Sequence, residues 1–133
     1  MSSIVWRILF GLVLIGHGAG HIYFLGPMLG RVRWGQAGRS WLLSGRVPDI
    51  VVKIVGDAVW LLAMFGFMVA GGGLLGQHDW WRALAVASVG VSMLGLTLFW
   101  QPMRQMHIAG LMDIAILVAL LVFHWPSAGL VGS

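Results

Sequence analysis

The chain has 133 residues, of which 59% are hydrophobic and only 9% are charged, and its net charge is +4. Soluble domains carry roughly 25% charged residues, so eight basic and four acidic side chains cannot cover a water-facing surface. The bases are scattered singly, which excludes a nucleic-acid-binding patch, and the absence of cysteine excludes disulfides and thiolate chemistry.

Four apolar stretches are long enough to cross a lipid bilayer, since a transmembrane helix needs about 20 predominantly apolar residues. The predicted helices cover residues 4–25, 51–75, 81–100 and 107–125. Turn-forming residues separate them, namely Gly26-Pro27, Gly71-Gly72-Gly73 with Gly76, Pro102 and Pro126. We therefore predict a single integral membrane domain over residues 1–133, of the all-α class and built as a four-helix transmembrane bundle.

Residues 26–50 form the one long connection of the sequence, between the first and second helices. This connection alternates basic residues with large apolar ones. These are Arg31, Arg33, Trp34, Arg39, Trp41, Leu42, Leu43 and Arg46. Such a mixture is typical of a short amphipathic helix that lies in the head-group layer of a membrane. An irregular loop accounts for the same composition nearly as well.

The distribution of bases predicts an orientation in the membrane. Side A is the end of the bundle that holds both termini and the loop at 76–81, and side B holds the connections at 26–50 and 101–106. Arg7 and Arg82 lie at side A, whereas the remaining bases lie at side B. The positive-inside rule then places side B in the cytoplasm. We expect a multi-pass protein of the plasma (inner) membrane with both termini outside the cytoplasm.

Ionisable side chains inside membrane spans are functional candidates by default. His17 and His21 share a face of the first helix because they lie four residues apart. Asp57 lies on the second helix, and His107 and Asp113 lie on the fourth. At 1.5 Å per residue, all five fall in the half of the membrane nearest side B. We predict a ligand-binding site there, in which the first two histidines and both aspartates point into the bundle while His107 lies at the boundary.

Three chemistries are compatible with this cluster. The first is a pocket for the polar head group of a quinone or a lipid. The second is a metal or haem site, in which His17 with Asp113, or His21 with His107, would share a level. The third is proton transfer, for which pumps use chains of Asp and His. A purely structural alternative is that these groups fasten the helices together, since interhelical polar contacts contribute about 0.6 kcal/mol each.

Small residues add two further patterns. Gly16 and Gly20 lie four apart, which predicts close helix–helix contact within the bundle. Ser88, Ser92 and Gly95 form a small polar stripe on the third helix. Both patterns are typical of residues that face a neighbouring helix.

Two segments of the sequence follow a pattern found in a known family. Arg7 is followed by Gly11 and by a glycine-rich stretch that ends at His21. In the segment GFMVAGGGLLGQHDWWRALAVAS at 66–88, a second helix ends in glycines and a third begins after an aromatic and basic turn. With these segments, the layout resembles the DoxX-like group of small four-helix membrane proteins. Some members of the group resemble subunits of quinone-linked oxidoreductases, which implies a head-group pocket. The resemblance implies no particular site residue, and the connection at 26–50 is longer than the family pattern.

The function predicted first is an integral membrane subunit or small binding protein for a lipophilic molecule, with a link to quinone redox chemistry. The alternatives are a small proton-coupled transporter and a purely structural subunit of a membrane complex. The sequence leaves open whether the chain is an enzyme, and leaves the cofactor open between quinone, haem and none. The expected partners are the lipid bilayer and either a membrane-protein partner or a second copy of the chain, but no nucleic acid.

Overall fold

A computed structural model describes residues 3–28 and 38–131. The helices are α1 (Ser3–Gly20), α2 (Ile22–Met28), α3 (Asp49–Leu75), α4 (Trp81–Leu98), α5 (Arg104–Leu117) and α6 (Ala128–Val131). A π-helical turn at Val118–Val122 prolongs α5. The described residues are thus mainly helical.

Four helical segments are long and apolar enough to cross a membrane. They are Ser3–Gly26, Asp49–Leu75, Trp81–Leu98 and Arg104–Val122. Their bounds lie within a few residues of the four predicted spans. The prediction of an all-α, four-helix bundle is therefore confirmed, and the chain has the character of a multi-pass membrane protein.

The four long helices pack against one another in chain order, from α1 through α3 and α4 to α5. α3 packs closely against both α1 and α4, whereas α5 packs against α4. The seam between α1 and α3 depends on glycine. A Cβ on Gly18 would lie 2.7 Å from the Met64 carbonyl oxygen, and one on Gly71 would lie 2.7 Å from the Gly11 carbonyl oxygen. These positions admit no side chain, which is why the two backbones approach so closely.

The first span is interrupted at His21. Its backbone N–H donates to the Gly18 carbonyl at 3.0 Å, and the helical hydrogen bonds restart with α2. The carbonyl of His17, which this break releases, accepts a hydrogen bond at 3.0 Å from Nδ1 of the His21 side chain. The sequence placed the end of this helix at Gly26-Pro27, but α2 continues to Met28. The break occurs earlier because a side chain replaces the backbone donor for the His17 carbonyl.

The described part of the long connection, residues 38–48, forms turns and not the amphipathic helix considered above. Arg31, Arg33 and Trp34 lie outside the described residues. The turns are fastened to the end of α4, where Ser40 Oγ donates to the Leu98 carbonyl at 2.6 Å and Trp41 Nε1 donates to the Thr97 carbonyl at 2.5 Å. They supply donors for carbonyls that the end of a helix leaves unpaired.

At side A, the opposite end of the bundle, two arginines donate hydrogen bonds to backbone carbonyls. Arg82 donates to the carbonyls of Leu120 at 3.2 Å and Pro126 at 2.6 Å. Arg7 donates to the Val131 carbonyl at 3.5 Å, and α6 packs against α1. The start of α1 and the short α6 therefore meet at the same end of the bundle.

Candidate functional site

His17 and Asp113 join the first and last spans. Nε2 of His17 lies 2.7 Å from Oδ1 of Asp113, and the two side chains are 6% and 0% exposed. A distance this short is typical of a charge-assisted hydrogen bond. An ionised carboxylate can only accept, so Nε2 of His17 is the donor. This bond leaves Nδ1 as the other ring nitrogen of His17, and no described residue makes a hydrogen bond to it.

Asp113 retains unused hydrogen-bonding capacity. Its second oxygen, Oδ2, is buried and has no hydrogen-bond partner among the described residues. Buried polar atoms are normally satisfied, so this oxygen is available to a partner that the described residues do not supply. Asp113 therefore orients the imidazole of His17 and keeps a second acceptor beside it.

Both ring nitrogens of His21 make hydrogen bonds within the protein. Its Nδ1 donates to the His17 carbonyl, and its Nε2 lies 2.9 Å from Ser92 Oγ on α4. A carbonyl can only accept, so a neutral His21 carries its proton on Nδ1 and its Nε2 accepts from the serine hydroxyl. The side chain is only 1% exposed. His21 thus ties α1 to α4 and has no ring nitrogen left for a ligand.

Aromatic rings surround the two histidines. Phe67 of α3 lies edge-on to His17 at 4.6 Å between ring centroids and stacks on His21 at 5.7 Å. Trp60 lies 5.9 Å from His21 and 4.6 Å from Phe24. These rings exclude water from the imidazoles on the side facing α3, which strengthens the polar contacts there.

A groove opens on the other side of the histidines, between α1 with α2 and α5. We call it the α1/α5 groove, and its volume is about 490 Å³. It is lined by Gly16, His17, Gly20, His21, Tyr23, Phe24, Gln105, Ile108, Ala109 and Met112. Its walls are mostly apolar, and its polar groups are few and lie together, as in small-molecule sites.

Gly16 and Gly20 keep this groove open. A Cβ at either position would have no atom within 4 Å. The prediction that these two glycines make close helix contacts within the bundle is therefore wrong, because Gly11 and Gly18 carry the contact with α3 instead. Gly16 and Gly20 therefore face the groove and not α3.

The structure places the five predicted site residues in three different settings. His17, His21 and Asp113 come together. Asp57 is half-buried on α3, and no hydrogen bond joins it to those three in the described part of the chain. His107 is exposed, hydrogen-bonds through Nδ1 to the Met103 carbonyl at 2.8 Å, and lies edge-on to Trp100. The predicted depth of Asp57 and His107 does not bring either to the histidine pair.

The donor set fits hydrogen bonding to a ligand better than metal coordination. Within residues 3–28 and 38–131, no group of three or more His, Asp or Glu side chains could hold a metal ion. Three of the four ring nitrogens of His17 and His21 are already hydrogen-bonded to protein groups. Haem held between His21 and His107 does not fit. His21 is buried with both ring nitrogens hydrogen-bonded, whereas His107 is exposed on α5.

Sequence reasoning missed the aromatic part of this site. Trp60 and Phe67 lie seven residues apart on α3, a spacing that puts them on one helix face. That spacing was readable, but aromatic side chains in an apolar span have no distinctive signal. Ser92 belonged to the polar stripe identified on the third helix, and its partner became visible only in three dimensions.

Comparisons with known proteins add no family assignment. No family model, curated protein or solved structure matches the chain. The resemblance to DoxX-like proteins therefore remains a prediction, and the functional conclusions below depend on the geometry alone.

Proposed function

We propose that the chain binds a lipophilic molecule with a hydrogen-bonding head group, of the quinone class, in the α1/α5 groove. The observation that carries this proposal is a single imidazole, His17, oriented by the buried Asp113 at the wall of a mostly apolar groove. A quinone combines a flat polar ring with an apolar tail, and the groove offers both surfaces.

His17 suits both redox forms of such a ring. Neutral imidazole accepts a hydrogen bond at Nδ1 from a quinol hydroxyl. Protonated imidazole donates from Nδ1 to a quinone carbonyl, and the Asp113 carboxylate then offsets the positive charge. The His17 imidazole is therefore able to bind either the quinone or the quinol without changing its position. Binding alone is proposed here, and no electron transfer is required of the chain.

Entry from the membrane is direct. Ile22 and Tyr23, beside the groove on α2, are 62% and 47% exposed, and Ile108 across it is 50% exposed. A lipid-dissolved molecule reaches the groove sideways without passing through water. The glycines at positions 16 and 20 present no side chain to block it.

The two alternatives receive less support from the contacts. A proton-coupled transporter needs titratable groups that carry a proton across the whole bilayer, whereas the hydrogen-bonded pair His17 and Asp113 lies at one depth in the half nearest side B. A purely structural role accounts for the His17–Asp113 bond, but it leaves the free ring nitrogen and the open groove unexplained.

The experiment measures binding of a radiolabelled decyl-benzoquinone to the full chain in nanodiscs. We expect saturable binding to one site. Gly16→Leu should weaken it at least tenfold, because the new side chain fills the groove. The matched control is Gly90→Leu, an open glycine on α4 that does not line the groove. His17→Gln should weaken binding about tenfold, the factor expected for a charge-assisted hydrogen bond.

Two results would reject the proposal. One is the absence of saturable binding by a correctly folded protein. The other is binding that survives Gly16→Leu and His17→Gln unchanged. If Asp113→Asn then lowered only the stability of the protein, the structural role would replace the binding role.

We also propose that side B faces the cytoplasm of a cell whose plasma (inner) membrane holds the protein. The contacts of the bases support this orientation. Arg7 and Arg82 at side A are bonded to backbone carbonyls, whereas Arg39, Arg46 and Arg104 at side B are exposed. A phosphatase reporter fused after residue 133 should be active only outside the cytoplasm, and a cytoplasmic location of the reporter would reverse the assignment.

A further inference from the structure

A second groove lies on the other side of α5, between α4 and α5. We call it the α4/α5 groove, and its volume is about 620 Å³. Its apolar walls include Met93, Leu96, Leu111 and Ile114, and Gly110 leaves room within it. From Met93 to Trp100 it extends about 10 Å along α4, at 1.5 Å per residue.

A polar pocket of about 640 Å³ adjoins this groove at side B. It is lined by Arg39, Ser40, Trp41, Ser44, Trp100, Gln101 and Pro102. Trp41 and Trp100 line both the pocket and the groove. The two spaces therefore meet at these two rings, and together they offer an amphipathic surface with a basic, hydroxyl-rich end and an apolar end.

The polar end is held in place by hydrogen bonds. Ser40 is buried, and its hydroxyl donates to the Leu98 carbonyl while accepting from the Leu43 backbone N–H at 3.1 Å. Trp41 is 65% exposed, yet its indole N–H is bonded to the Thr97 carbonyl. An exposed tryptophan ring that is anchored at its N–H is typical of the membrane–water interface.

We propose that this surface binds an anionic phospholipid, with its phosphate at Arg39 and one acyl chain in the α4/α5 groove. Three observations carry the inference. Arg39 is exposed at the mouth of the pocket, and guanidinium is the protein group best matched to phosphate. The pocket lies at the end of an apolar span, which is the level of lipid head groups. The groove then leads from that level into the hydrocarbon layer.

This site is separate from the quinone site proposed above. The α4/α5 groove uses Leu111 and Ile114 of α5, whereas the α1/α5 groove uses Ile108 and Met112, on another face of the same helix. His107, which does not reach the histidine pair, lines the α4/α5 groove. Failure of either proposal therefore leaves the other untouched.

The test is native mass spectrometry of the full chain released from micelles that contain equal amounts of phosphatidylglycerol and phosphatidylcholine. We expect one retained phosphatidylglycerol, preferred about fivefold over phosphatidylcholine, the factor that one basic residue near a membrane surface supplies. Arg39→Gln should abolish the preference. Arg46→Gln is the matched control, because Arg46 is exposed in the same connection but does not line the pocket.

A second pair of variants tests the apolar end. A Cβ on Gly110 would meet only the Leu96 side chain, at 3.7 Å, so Gly110→Leu fills the groove without a backbone clash. It should reduce retention of phosphatidylglycerol at least fivefold, whereas Gly90→Leu should not. Decyl-benzoquinone binding should be unchanged in Gly110→Leu, which separates the two sites.

Three outcomes would overturn the lipid site. Equal loss of preference in Arg39→Gln and Arg46→Gln would show a diffuse effect of surface charge. Equal retention of both lipids by the unmodified chain would show that the head group is not recognised. Glycerol phosphate that competes as strongly as the whole lipid would show a small-anion site in which the groove has no part.

Discussion

The two seams that α1 makes with its neighbours differ in almost every respect. Against α3, α1 packs through Gly11 and Gly18. A Cβ on Gly11 would meet the Leu75 side chain at 2.8 Å, and one on Gly18 would meet the Met64 carbonyl oxygen at 2.7 Å. Against α5, it leaves a groove that the hydrogen bond from His17 to Asp113 crosses. The same helix thus uses close van der Waals contact on one face and a polar bond across open space on another. Close packing holds the first seam together, and the second seam leaves the open groove in which we propose that a ligand binds.

The largest expected effect separates the glycines of the two seams. Gly18→Ala should lower the free energy of unfolding by about 1–3 kcal/mol, because the new methyl group overlaps the Met64 carbonyl and Phe67. Gly16→Ala, two residues away, should be neutral or should raise it by about 0.5 kcal/mol, since alanine favours the helix. Reversible unfolding in mixed detergent micelles measures both. Equal effects of the two changes would mean that the seams do not differ.

The next effect concerns the bond across the open seam. A double-mutant cycle with His17→Ala and Asp113→Ala should give a coupling energy of about 0.6–1.7 kcal/mol, the range of interhelical hydrogen bonds in membranes. The same cycle between His17 and Asp57 is the control and should give a coupling near zero. If the control coupled as strongly as the pair, the polar groups would form one network and not a single bond.

The smallest effect is expected at Asp57. Asp57→Asn keeps the shape of this half-buried side chain and replaces a carboxyl group whose Oδ1 has no hydrogen-bond partner among residues 3–28 and 38–131. The free energy of unfolding should change by less than about 0.5 kcal/mol, and decyl-benzoquinone binding should stay the same. A loss of binding would show that Asp57 belongs to the binding site. The two seams of α1 would then not be independent of each other.

The sequence was informative about position along the membrane normal. Long apolar runs locate the four spans, and a fixed rise per residue places His17 and Asp113 at one depth, where the structure joins them. Rotation about the helix axis was not readable in the same way. Depth alone also placed Asp57 with the histidines, and residue spacing alone placed Gly16 and Gly20 in a helix contact. Packing decides which face of a helix contacts which neighbour. In a span that is apolar on nearly every face, the sequence gives little indication of that choice.

The break at His21 escaped sequence reasoning for a related reason. Gly26-Pro27 is the conventional signal for the end of a helix, and His21 carries no such signal. The interruption depends on a side chain that bonds the carbonyl four residues earlier and reaches Ser92 on another helix. The bond to Ser92 joins residues that are distant in the sequence, so a local window of sequence contains only part of this arrangement.

The bond between the first and last spans also bears on how the chain enters the membrane during synthesis. A carboxylate near the middle of a helix raises the cost of insertion by about 2.5–3.5 kcal/mol. Because synthesis proceeds from the N-terminus, the imidazole of His17 is already in the bilayer when α5 arrives with Asp113. The earliest span thus supplies a waiting partner for the most costly group in the latest one. We expect His17→Leu to reduce insertion of α5 in a glycosylation-reporter assay, and full insertion would show that α5 enters unaided.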